Sequence, residues 1–137
     1  MGPLEMRLDQ LQPSQLFICA EKLAAVERAL DEVDGELKEP LPVKRLDGRT
    51  VLTDGHTRAL AVLRAGAKTV SVSWEPDDLD WGAYRICVAW CLQAGVRAVG
   101  DLRTRVVPVQ EYETLWLDRC RHMQEGLTRG RMPDDKA

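Results

Sequence analysis

Val51-Leu-Thr-Asp-Gly-His-Thr-Arg-Ala-Leu-Ala-Val-Leu-Arg-Ala-Gly66 reads as a strand that runs into an Asp-Gly turn, then a helix that starts at the turn and stops at Gly66. Ala59, Leu60 and Leu63 give that helix a core-facing stripe, and Gly66 suits the left-handed residue just past a helix end. Glycine lets backbone amides approach a ligand closely, and the first turn of a helix presents unpaired N–H groups with a partial positive charge. Arg58, three residues after Gly55, adds a forked cation on the same side. Together these parts make an anion site, most naturally for phosphate.

Working outward, Val43 to Leu46 and Arg49 to Thr53 flank Asp47-Gly48, a two-residue link that predicts a tight hairpin. Thr69 to Trp74 reads as another strand, so strand, helix and strand suggest a parallel or mixed sheet with the helix packed across it. Upstream, residues 4–11 alternate apolar and polar as a half-buried strand does. Pro13-Ser14 breaks it, and Leu16, Phe17 and Ile18 form a short apolar plug. From Ala20 to Val33 the spacing of Leu23, Val26, Leu30 and Val33 predicts an amphipathic helix. Downstream, Pro76 to Asp80 is a capped entry to a helix through Gln93, and a short turn is expected at Val99 to Leu102. A last helix starts near Pro108 and is expected to bury Val109, Tyr112, Trp116, Cys120 and Met123. Trp81, Trp90 and Tyr84 are read as core too. The expectation is one α+β domain over residues 1–126, with a core motif region at 4–75, a helical extension at 80–126 and a disordered tail at 127–137.

The chain has 137 residues, enough for a core without staples, and its 45% hydrophobic and 30% charged content is ordinary for a globular domain. A formal charge of −3 provides no global basic field, which argues against nucleic acid as a partner. No apolar run approaches a membrane span, and the first residues lack the apolar segment of a signal peptide, so a cytoplasmic protein is expected. The four cysteines contain no C-x-x-C pair and read as buried thiols; Cys87, Cys91, Cys120 and His122 are a weaker metal alternative.

Pro42-Val43, Val51 to Asp54, Gly55-His56-Thr57-Arg58-Ala59-Leu60-Ala61 and Gly66 followed by the strand Thr69 to Trp74 resemble the ParB/sulfiredoxin superfamily. The resemblance implies an α+β fold of that type, with Gly55 and Arg58 against nucleotide phosphates and the amides of His56 and Thr57 nearby. It does not settle function, because the superfamily has diverged. Sulfiredoxins carry a nucleophilic cysteine directly after the motif glycine, where this chain has His56, so thiol chemistry is excluded. Partition ParB proteins add a Glu-Asn motif and a helix-turn-helix, and no Glu-Asn pair occurs here. A third branch phosphorylates free serine and resembles this chain in the Asp-Gly-His-x-Arg form of the motif. The superfamily resemblance implies a nucleotide cofactor, ATP, ADP or CTP, and the third branch adds Mg²⁺ beside Asp54 and a small hydroxyl-bearing metabolite as partner. It also uses a glutamate before the first hairpin strand, where Glu36 and Glu39 stand.

Each residue has an alternative reading. Asp54 is a candidate metal ligand or base, or simply a helix cap. His56 is a candidate general base or phosphate donor, or a capping group. Thr57 can donate to phosphate. An arginine in the first turn opposes the helix dipole, so Arg58 is expected to meet an anion, either phosphate or Asp54. The competing function is a non-catalytic nucleotide-binding or regulatory module whose extension docks a protein partner or a second copy. A DNA-binding or nuclease role is the weaker third.

Overall fold

The structure, a computed structural model, describes residues 4–33 and 35–131. Its principal sheet has four strands in the order β1 (Leu4–Arg7), β5 (Thr69–Trp74), β3 (Leu41–Leu46), β4 (Arg49–Leu52). β3 and β4 form the expected hairpin, with Leu46 opposite Arg49 and both Asp47 (φ 51°) and Gly48 (φ 82°) left-handed, as a primed turn requires. β5 runs parallel to β3 and β1 runs antiparallel to β5, so the sheet is mixed. Helix α1 (Ala20–Glu32) and helix α2 (His56–Arg64) pack against each other, and Leu23, Leu30 and Leu60 join Val43 and Val72 in one core. Removing such side chains from water is the main drive for closing the domain. Gly66 takes φ 105° and its N–H bonds to Leu63 O, which ends α2 as expected.

The first strand is shorter than its alternating pattern suggests. The chain leaves β1 at Leu8 and makes a 3₁₀ turn over Leu8–Gln10. Leu8 and Leu11 are both buried, and a spacing of three places two residues on one side of a turn but on opposite faces of a strand. Gln12 then rejoins the sheet beside β4: its N–H bonds to Thr50 O, and Leu52 N–H bonds to Gln12 O, each at 2.9 Å.

The extension is built from helix α3 (Trp81–Gln93), a 3₁₀ segment Val99–Thr104, and a long C-terminal helix. Asp80 caps α3 by accepting from Ala83 N–H. α3 lies against the hairpin, where Arg85 pairs with Asp47 at 3.0 Å. Between the two helices, β6 (Val106–Val107) pairs in parallel with β2 (Ile18–Cys19), a second small sheet. The Arg105 guanidinium reinforces it, donating to Leu16 O at 2.7 Å and stacking on Phe17.

The C-terminal helix starts after Pro108 as α4 (Val109–Tyr112), widens to a π turn over Glu113–Leu117, and continues as α5 (Asp118–Arg131). Trp116 on the π turn is buried and meets Trp90 edge-on at 6.1 Å. Gly126 does not take the left-handed form that would end a helix there, so α5 runs to Arg131. The rest of the expected tail, residues 132–137, lies outside the described residues, as does Asp34. No helix among the described residues is long and apolar enough to cross a membrane.

Candidate functional site

Three stretches converge on the start of α2. The first is the end of β4, where Thr53 N–H bonds to Pro42 O at 3.1 Å and the Thr53 hydroxyl donates to Glu75 Oε1 at 2.9 Å. Glu75 follows β5 directly, and its other oxygen accepts from Asp77 N–H. The second is the segment at 12–15, which runs along β4. The Ser14 hydroxyl donates to Leu52 O at 2.7 Å, and Ser14 N–H donates to His56 Nε2 at 2.9 Å. The third is α3, whose Tyr84 hydroxyl donates to Thr53 O at 2.9 Å. Burial raises the Tyr84 phenol above its ordinary range, and the nearby Asp54 and Glu75 carboxylates push the same way.

Gly55 makes the turn itself. It is left-handed at φ 80° and caps α2. A Cβ placed on it would lie 2.7 Å from Arg58 Nη2 and 2.8 Å from Leu41 Cδ2. Arg58 therefore folds its guanidinium back over the glycine, and any larger residue would displace it. The Asp54 carboxylate accepts from Gly55 N–H at 2.8 Å. The first helical bond runs from Ala59 N–H to Gly55 O, which leaves the N–H groups of His56, Thr57 and Arg58 outside the helical ladder. Among the described residues no carboxylate lies within ion-pair distance of Arg58, so the alternative of an internal pair with Asp54 is not what forms.

His56 is buried, with 4% of its surface exposed. Desolvation pushes its pKa down to about 4, opposed by the Asp54 charge. With Nε2 accepting from Ser14, the neutral ring carries its proton on Nδ1 and has no lone pair left to take another. Through this bond the ring holds the segment at 12–15 against α2.

Other expected residues fall elsewhere. Glu36 lines a cleft with Val62 and Ala67, at the opposite end of α2 from Gly55, and Glu39 is exposed. Trp81 is half-buried at the surface rather than in the core: its indole N–H donates to Asp78, and the Lys44 ammonium sits 4.9 Å above its ring. Trp90 is also half-buried, under the Arg119 guanidinium at 4.0 Å. Sequence reasoning did not single out Glu75, and it assigned Tyr84 to the core. The one available signal for Glu75 was an acid directly after a strand end, at the same sheet edge as the motif turn.

No family sequence model matches the chain, and no curated protein matches it by sequence. Solved structures do match. A free serine kinase in complex with AMP aligns with a TM-score of 0.50 at 20% identity, over 58% of this chain and 33% of that one. A protein from Agrobacterium tumefaciens gives 0.52 at 16% identity over 74% of this chain and 61% of that one. Sulfiredoxin from Arabidopsis thaliana gives 0.50 at 15% identity over 64% of this chain and 98% of its own. The chain thus spans about a third of the kinase's length. These likenesses establish a shared ParB/sulfiredoxin-type fold and, at such identity, nothing finer.

Proposed function

We propose that the turn at Gly55–Arg58 binds the phosphates of a nucleotide, ATP, ADP or CTP, and that the protein transfers phosphate to a small hydroxyl-bearing metabolite. The observation that carries this reading is Arg58: a guanidinium laid over a left-handed glycine at a helix start, with no anionic partner among the described residues. Free N–H groups of Thr57 and Arg58 beside it add the directional donors that phosphate oxygens take. The fold shared with a nucleotide-bound free serine kinase supports the reading without assigning the substrate.

In this reading Asp54 stands at the edge of the phosphates. One carboxylate oxygen holds Gly55 N–H, which fixes the group in place and leaves the other to accept the proton of an acceptor hydroxyl or to ligate Mg²⁺. Among the described residues no group of three His, Cys, Asp or Glu is placed to hold a metal ion. A lone carboxylate suits Mg²⁺, which takes most of its ligands from phosphate and water. The ion would supply charge neutralisation between Asp54 and the phosphates. His56 serves as a positioning residue, locking the first turn of α2 through Ser14.

Calorimetry with ATP, ADP and CTP, with and without Mg²⁺, tests the phosphate site; absence of binding, or binding unchanged in Arg58→Ala, overturns it. Incubation with nucleotide and free serine or other small alcohols then asks for a phosphorylated product that disappears in Asp54→Ala. The second reading is a non-catalytic module whose extension docks a partner. It is favoured by Leu115 and Leu117, exposed at 41% and 45% on the C-terminal helix, and nucleotide binding without turnover would select it.

A further inference from the structure

A pocket of about 200 Å³ opens between the motif turn and the extension. It is lined by Thr53 and His56 at the motif turn, by Tyr84 and Cys87 on α3, and by Trp116 and Cys120 on the C-terminal helix. The extension thus does more than thicken the core: it walls a half-open pocket beside the start of α2.

His56 makes this pocket specific. Its ring is 4% exposed, and Nε2 is bonded to Ser14 N–H. Nδ1 has no protein partner among the described residues, yet no buried side-chain nitrogen or oxygen there lacks one, so Nδ1 keeps an open edge. The ring lines the pocket, and that edge is an N–H donor with nothing in the protein to accept it. Around it the Tyr84 hydroxyl, already donating to Thr53 O, has lone pairs to offer. Cys87 and Trp116 supply an apolar wall. No Asp, Glu, Lys or Arg is among the lining residues.

We infer that this pocket binds an uncharged, hydroxyl-bearing small molecule, a polyol, sugar or nucleoside, with a hydroxyl accepting from His56 Nδ1–H. The inference rests on the phosphotransfer reading only for the role of the ligand as acceptor. A free amino acid fits poorly, because its carboxylate would enter a pocket whose nearest charges, Asp54 and Glu75 beside Tyr84, are also negative. A volume of about 200 Å³ is below the range typical of drug-sized ligands and suits a small metabolite.

The test uses the intact chain without nucleotide, so its failure and failure of the phosphate site are read separately. The chain has two histidines, which makes the ring signals of His56 assignable by ¹H–¹⁵N correlation. Glycerol, ribose, uridine and free serine are titrated in turn at millimolar concentration. The expected result is a saturable shift of the His56 Nδ1–H signal with at least one neutral probe, at affinity about tenfold or more above that for serine. Cys120→Trp, which fills the pocket from a half-exposed position, should remove the shift. Met123→Phe should weaken it, with the unliganded unfolding midpoint of each variant showing that the fold survives. No shift with any neutral probe, a serine shift of equal affinity, or a shift that persists in a folded Cys120→Trp protein overturns the inference.

Discussion

Strand β4 is bounded by two Asp-Gly pairs, and they do different work. At the hairpin end both Asp47 and Gly48 are left-handed, and a Cβ on Gly48 would meet nothing within 4 Å. At the far end only Gly55 of the pair is left-handed, and a Cβ there would strike both Leu41 and the Arg58 guanidinium. Asp47 pairs with Arg85 at the surface, whereas Asp54 turns onto its neighbour's N–H and leaves Arg58 unpaired. One dipeptide is there to reverse the chain. The other makes room, because the space beside a glycine is what brings a cation and free amides to one point.

The difference is open to direct attack. Gly55→Ala adds left-handed strain to a collision with Leu41 and Arg58, and should cost about 4 kcal/mol in urea unfolding. A loss no larger than that of Gly48→Ala would erase the contrast between the turns. The second turn is also gripped from outside, through Ser14 and His56, and this should appear in the pH dependence. His56 is neutral in the folded protein until about pH 4, while in the unfolded chain it protonates below its ordinary 6.5. Stability present above pH 6.5 is therefore lost as pH falls towards 4, by about 3 kcal/mol from this group. His56→Gln should flatten that part of the profile; an unchanged slope would mean the ring is not held neutral.

Arg58→Ala sharpens the contrast further. It should weaken nucleotide binding by about 2 kcal/mol in calorimetry, as loss of charge-assisted hydrogen bonds does, while leaving stability nearly unchanged. Gly48→Ala, with strain but no collision, should cost about 1 kcal/mol. Smallest of all, Arg85→Ala removes an exposed ion pair and should change stability by less than about 0.5 kcal/mol, an effect that salt further reduces.

Periodicity and turn chemistry made most elements legible. The hairpin, α2, β5 and α3 fall close to where Asp47-Gly48, Gly66, the alternation from Thr69 to Trp74 and the Asp80 cap put them. Legibility failed where a partner lies far along the chain. His56 reads as a general base, a phosphate donor or a capping group, and nothing beside it predicts that Ser14, 42 positions earlier, will cover it. Tyr84 looks like one more apolar tooth of α3, and only its bond to Thr53 O makes it part of the site. Glu75 likewise acquires meaning from Thr53 across 22 residues. The π turn has no local marker either: Glu113 to Leu117 have ordinary helical composition, and the widening goes with Trp116 packing on Trp90.

The parallel pairing of Ile18 with Val106 has a consequence in time. Gln12 also reaches Val96 O with its side-chain amide across 84 positions, so the N-terminal edge of the domain is finished by residues near its other end. On a ribosome adding about 5–20 residues per second, the first twenty residues must wait several seconds for their partners to emerge. Until then β2 has no ladder and the segment that seals His56 has one anchor fewer. Contacts of such long sequence separation slow folding, and they bind the extension and the motif half into a single cooperative unit. A slowly translated stretch between residues 20 and 96 would prolong the exposure of that unfinished edge.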